Sequence, residues 1–376
     1  MISHLLVAGC KEYDGDYIYS LIKKYFNDNP EQKEKLERSK RVLIKPNLCL
    51  AQPPEKAITT HPVVIEQLIK YLQDNGIQPV LGENPIGDLN ELGFINLIKI
   101  TGLYDVLKKY NCRYILLGTE GVTKKEFIIS NSVYNIPISN EYLQSDYVIN
   151  VPKFKTHGLT GFTGAVKNIF GTVLGRYKAC IHTYAKSIDD FNKTLLDIYS
   201  LRTPDLNIMD AIEGLSGNGP GTKGDMMEIS LLLISNDGIV MDNYCKNLIG
   251  LTNDEIAIKQ TGTTNTIAEK VIYYKFDPLT DLKLSNFELP TIYRNSNVAV
   301  RNKLYDLHKY KIKIDYNKCK TCYLCRDNCP KQCLKINESG LFVEVKNCIL
   351  CLCCMEICPH EAIDIAMASF YVELKS

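Results

Sequence analysis

Ten of the fifteen cysteines fall between Cys319 and Cys358, and their spacing is the strongest chemical signal in the chain. Cys319, Cys322, Cys325 and Cys329-Pro330 form C-x2-C-x2-C-x3-C-P; Cys348, Cys351, Cys354 and Cys358-Pro359 repeat it. Thiolates are soft ligands suited to zinc or iron, and so many together without such a task would be an oxidation hazard. Zinc modules generally stop at two cysteines per knuckle and need no proline after a fourth. The doubled run therefore points to iron–sulfur chemistry. Cys333 and Cys353 break the spacing and are expected to pack beside a metal site. Cys10, Cys49, Cys112, Cys180 and Cys245 are scattered singly, and none has a recognisable partner pattern.

The doubled run resembles that of bacterial ferredoxins with two [4Fe–4S] clusters. The resemblance implies that three cysteines of each run hold one cluster and that the fourth crosses to the other. One cluster would use Cys319, Cys322, Cys325 and Cys358; the other would use Cys348, Cys351, Cys354 and Cys329.

A second set of polar residues lies far upstream, in "VPKFKTHGLTGFTGAVKNIFGTVLG" (151–175). Here a strand is expected to end at Lys153, with Lys155, Thr156 and His157 in a glycine-punctuated loop and a helix starting near Thr163. Lysines beside a helix N-terminus make an anion cradle, because free backbone N–H groups and the helix dipole add to their charge. Lys167 and Asn168 would lie one turn inside that helix. Together with "LIKPNL", "TTHP", "GRYKACIHTY" and "IMDAIEGLSGNGPGTKG", this stretch resembles proteins of the DUF362 family, often fused to a two-cluster ferredoxin domain. The resemblance implies a shared α/β domain with candidate site residues Lys45, Asn47, His61, Lys153, Lys155, His157, Lys167, Asn168, Lys178, His182, Asp210 and Glu213. Of these, Lys153, Lys155, His157, Lys167, His182 and Asp210 are the catalytic candidates. "GPGTKG" (219–224) satisfies G-x-G-x-x-G, but a strand-like run follows it where a dinucleotide fingerprint needs a helix, so it reads as a loop over the site.

The elements that must position these residues alternate short β-branched runs with helical periodicity. Strands are expected at 41–48 and 78–84, with a helix over 61–76 between them, Pro62 in its first turn and Gly76 ending it. "YILLG", "EFIIS", "YVINVPK", "LNIMDAIEG" and "EISLLLIS" supply further strands. This order predicts an α/β fold, a mostly parallel sheet with flanking helices, over residues 1–300. A connector (301–312) and a small α+β ferredoxin-like domain (313–376) would follow. The formal net charge of +1 gives no reason to expect nucleic acid as a partner. No apolar run is long enough to span a bilayer and the N-terminus has no signal-peptide pattern, so a cytoplasmic protein is expected. The expected activity is electron transfer from a soluble low-potential redox partner, through the clusters, to an unknown anionic small molecule on the α/β domain. The alternative is a non-enzymatic electron-transfer or maturation partner whose α/β domain docks another protein or a cofactor intermediate.

Overall fold

Strand and helix periodicity resolve into a mixed α/β architecture in the computed structural model. It describes residues 2–87, 90–251, 270–276, 284, 286–291, 310–338 and 340–367. The strands are β1 (Ile2–Gly9), β2 (Val42–Pro46), β3 (Val80–Glu83), β4 (Arg113–Leu116), β5 (Val122–Ile129), β6 (Ser132–Ser139), β7 (Tyr147–Val151) and β8 (Lys153–His157). They continue with β9 (Gly161–Thr163), β10 (Leu206–Gly217), β11 (Gly224–Ser235), β12 (Lys270–Phe276), β13 (Tyr310–Ile314), β14 (Leu334–Asn337), β15 (Gly340–Val343) and β16 (Ile363–Met367).

One large sheet runs β12-β1-β11-β10-β7-β2-β3-β4, with β8 and β9 branching from β10. Along that path only the β1/β11 and β11/β10 contacts are antiparallel, so the sheet is dominated by parallel pairs, as expected. Parallel strands are buried on both faces, which explains the fully buried β2 and β7. Ile44 and Ile149 face one core layer with the helices Gly15–Asp28 and Pro62–Asp74. Leu43 and Val148 face the other, beneath the helix Ile188–Leu201. The helix Pro62–Asp74 forms where expected. Val64, Ile65, Leu68, Ile69 and Leu72 make its buried stripe, Pro62 opens it, and Gly76 follows its end at φ 75°.

Strand β2 has β3 on one side and β7 on the other, so successive crossovers diverge there. In open α/β sheets the crevice outside the carboxyl ends at such a switch point is where ligands bind. Lys45, Asn150 and Asn207 lie side by side in register across β2, β7 and β10, leading into that crevice.

The C-terminal residues form two antiparallel pairs, β13/β16 and β14/β15. Their internal repeat holds at the level of the backbone, each residue 29 positions after its counterpart (319 to 348). Thr321 and Tyr323 have left-handed φ, as do Leu350 and Leu352; Gln332 pairs with Glu361 in the same way. Leu324–Asp327 and Cys353–Ile357 are the matching short helices. Ile312, Ile314, Leu334 and Ile357 join the core layer that lines the second face of the large sheet. No helix among the described residues is long and apolar enough to cross a membrane.

Two local expectations are corrected. Lys153–His157 is a fully buried strand, not a loop. No long helix begins near Thr163: Gly161–Thr163 is a strand, one α turn spans Ala165–Asn168, and a 3-10 turn Ile169–Thr172 follows. Glycines at 158, 161, 164 and 171 break the run before a helix can pay its nucleation cost. The expected connector lies outside the described residues except at its end, where Tyr310 already begins β13.

Candidate functional site

Asparagines make up the floor of the crevice. Lys155 Nζ donates to Asn47 Oδ1 (2.8 Å) and Asn47 Nδ2 to Asn168 Oδ1 (2.8 Å). Asn168 Nδ2 then donates to Asn150 Oδ1 (2.8 Å), and Asn150 Nδ2 to Asn207 Oδ1 (2.9 Å). Every amide in this ladder points its donor away from the lysine, so each bond polarises the next and supports the positive charge at its head. All five residues are buried, with Lys155 at 1% exposure.

Above this floor is a cavity of about 140 Å³. Lys45, Lys155, Lys167 and Lys178 line it, as do Cys49, Cys180 and His182. Lys45 is neutralised by Glu83 at 2.7 Å, although burial still pulls its pKa below the usual lysine value. Lys178 donates to the carbonyl oxygens of Asn84 and Pro85. Lys155 meets an amide oxygen, the Ile58 carbonyl (2.7 Å) and the Cys49 sulfur (3.1 Å). Among the described residues no carboxylate stands within ion-pair distance of Lys155 or Lys167. Burial lowers the pKa of Lys167, Glu356 raises it and the charge on Lys155 lowers it further.

The structure divides the expected lysine–histidine set. Lys153 points away from the cavity and pairs with Asp210 (2.9 Å), both fully buried; its Nζ also donates to the Tyr13 hydroxyl (2.8 Å). The Tyr13 ring stacks on His61 at 3.6 Å. His61 serves as the N-cap of its helix, with Nδ1 accepting from Val63 N–H, and burial pushes its pKa down to about 4. Glu213 is half-buried on β10 beside this pair. The pairing of β10 with β8 shifts register between Asp210 and Leu215, so that Lys153 lies opposite Asp210 and Lys155 opposite Leu215.

His157 holds the C-terminal segment. Its Nδ1 accepts from the backbone N–H groups of Leu159 and Thr160, which leaves the proton on Nε2, 3.0 Å from Glu356 Oε1. Burial lowers its pKa despite Glu356, so the imidazole is neutral and faces an ionised carboxylate. Burial opposes ionisation of Glu356, but the neighbouring His157 side chain and the Lys167 ammonium hold its carboxyl below the usual carboxylate range. His182 stacks on Phe191 at 4.3 Å and its buried Nδ1 has no partner. Burial pushes its pKa down to about 3, so a histidinium there is disfavoured.

Glu356, Cys329 and Cys353 also line the cavity, so the cysteine-rich segment forms one of its walls. A second, small cavity of about 20 Å³ opens among Cys329, Cys348, Cys351 and Cys354, with Cys333 and Cys353 in its wall. Cys325 lies near enough to Cys358, Cys322 and Cys319 for their charges to act on its thiol. The Cys333 thiol and nearby backbone N–H groups hold Cys329 down at about 5. Among the described residues, no three histidine, cysteine or carboxylate side chains converge on a point where a single metal ion would sit.

Four site residues escape the sequence reading: Glu83, Asn150, Asn207 and Glu356. Glu83 and Asn150 left a usable signal, a polar residue at or near the carboxyl end of a buried strand. Asn207, near the amino end of β10, and Glu356, inside the second cysteine run, left none.

A model described as "Domain of unknown function (DUF362)" matches residues 42–247, which hold all the candidate site residues of the α/β domain. A thylakoid-associated protein, sll1697, of Synechocystis is 30% identical over 262 residues, spanning 67% of this chain and 77% of that one. The lactate racemase apoprotein of Thermoanaerobacterium thermosaccharolyticum superposes with a TM-score of 0.40 at 11% identity, over 65% of this chain and 56% of the racemase. With more than half its length inside the matched region and the same motifs on the walls of its cavity, this chain belongs to the DUF362 family.

Proposed function

We propose that the chain is an iron–sulfur oxidoreductase that delivers electrons from a soluble low-potential carrier to a small anion in the lysine-lined cavity. The observation that carries this reading is the shared wall: Cys329 and Cys353 line the same cavity as Lys155 and Lys167. The cysteines suit two [4Fe–4S] clusters. All four residues assigned to the second lie around one small cavity, and of those assigned to the first, Cys319, Cys322 and Cys358 each lie near Cys325. In both halves a backbone N–H reaches the crossing cysteine, Cys333 N to Cys329 Sγ and Ala362 N to Cys358 Sγ, each at 3.4 Å. Such clusters supply one-electron transfer.

The protein's own residues do the rest. Lys155, fixed at the head of the amide ladder, lines the cavity beside the bound anion. Lys167, whose pKa burial lowers, is the better proton donor; His157 and His182 are held neutral, so neither is the expected acid. Lys153 and Asp210, proposed from sequence as catalytic, instead support the strand that carries Lys155. The cavity is close in volume to one that holds benzene, which suits a small carboxylate or oxyanion.

The test is anaerobic isolation with iron and sulfide analysis, which should give about eight of each per chain. Calorimetry with small carboxylates and inorganic phosphate should then show binding that Lys167→Met weakens. Stoichiometric zinc without sulfide would overturn the cluster assignment. A cluster-loaded protein that binds no small anion would favour a docking role for the α/β domain.

A further inference from the structure

The internal repeat is broken at two informative positions. Twenty-nine residues before Cys353 stands Leu324, and the same distance after Cys333 stands Ala362. One surplus cysteine lies in each half of the repeat, yet both stand in the wall of the same small cavity, among Cys329, Cys348, Cys351 and Cys354. The Cys333 sulfur is 3.4 Å from Cys329 Sγ, and Cys353 shares the small cavity with Cys348, Cys351 and Cys354. With Cys329, Cys348 and Cys351 serving as thiolate ligands, only Cys333 and Cys353 have a proton to give. Their S–H groups thus add two weak donors among the sulfurs of the cavity-side site, one of them beside Cys329, beyond the backbone N–H bond that both halves share. Leu324 and Ala362 have no S–H donor to offer at the matching positions.

The two sites also differ in access at one ligand. Cys322 is exposed, whereas its counterpart Cys351 is 8% exposed. Reduction adds negative charge, which hydrogen bonds to sulfur favour. Extra donors at the site nearest the cavity therefore draw electrons toward it from the site with the exposed ligand.

We propose that Cys333 and Cys353 are not ligands but tuning residues, whose thiols raise the reduction potential of the cavity-side cluster. This rests on the two-cluster reading above. In the electron path it implies, one electron from a low-potential one-electron carrier enters at the Cys322 side. It then passes to the Cys351 side, so that the first cluster is reoxidised as the second is reduced.

The experiment is an anaerobic redox titration followed by electron paramagnetic resonance on the full chain and its variants. Cys333→Ala and Cys353→Ala should each keep eight iron and lower one of the two midpoint potentials while the other stays in place. Cys333→Ser and Cys353→Ser retain an O–H donor and should restore that potential toward the wild-type value. If neither alanine variant moves a potential, or both potentials move together, the proposal is wrong. Loss of iron in either alanine variant would also overturn it, by making that cysteine a ligand. Failure of the two-cluster reading itself would appear earlier and separately, as wild-type protein lacking two four-iron signals.

Discussion

Two lysines, two residues apart on one strand, have opposite assignments. Lys153 is half of a buried ion pair with Asp210. Removing one partner leaves the other charge buried and uncompensated, so Lys153→Met should cost about 3–5 kcal/mol in urea unfolding. Lys167, half-buried and with no ion-pair partner among the described residues, should tolerate the same change within about 1 kcal/mol. Anion affinity should nonetheless fall by on the order of 1.5–3 kcal/mol in calorimetry, the worth of a charge-assisted contact. His182 gives a pH prediction. Its folded pKa of about 3 lies below the ordinary 6.5, so the unfolded chain binds its proton more readily. The stabilising contribution is therefore present above about 6.5 and is lost as pH falls through the window toward 3. Between pH 7 and 5.5 this one group should cost about 1 kcal/mol. His182→Gln, which takes up no proton, should lose that much less over the same interval when the two are unfolded in urea at both pH values.

The ladder of amides ties β2, β7 and β10 to the turn Ala165–Asn168, and its middle rung is the most demanding. Asn168 accepts from Asn47 and donates to Asn150, and its amide also approaches the carbonyls of Lys45 and Pro46. Asn168→Ala leaves a buried donor on Asn47 and a buried acceptor on Asn150. Each unpaired group costs about 1–3 kcal/mol. A lower unfolding midpoint with an unchanged denaturant slope would confirm a loss of native stability alone. A neutral result would mean that water replaces the amide and that the ladder is not continuous. The short helix that supplies Asn168 has no side-chain N-cap of its own. Asp242 from Gly238–Leu248 fills that place, accepting from the N–H groups of Ala165 and Val166.

At the scale of the whole molecule, the cysteine-rich segment is joined to the α/β sheet through Glu356, the loop 218–223 and a shared apolar layer. A side chain at Gly221 would start 2.8 Å from the Glu356 backbone carbonyl, and Lys223 pairs with Asp364. Backbone cannot swing aside as a flexible side chain can. Gly221→Ala should therefore loosen this seam, seen as faster amide exchange in 348–367 with the core strands β2 and β7 still protected. Unchanged exchange there would mean that the loop yields instead and that the seam is held by the apolar layer.

Read alone, the sequence determined the cysteine spacing and the strongly periodic elements, because both are local. The doubled C-x2-C-x2-C-x3-C-P run is visible without a structure, and the helix Pro62–Asp74 carries its stripe, its proline and its terminal glycine within one window. Strand β6 was less legible, since Pro137 within it is a residue that normally argues against a strand. Which lysine faces the cavity was not legible, since Lys153 and Lys155 are the same residue type in the same strand. The tertiary structure decided it, through a register shift between β10 and β8 that sets one against Asp210 and the other against Leu215. The partners that matter most, Asn47 with Asn168 and His157 with Glu356, are 121 and 199 positions apart (356 − 157 = 199). Such contacts arise only when the parallel crossovers bring strand ends together at the switch point, and no local pattern in the chain encodes them.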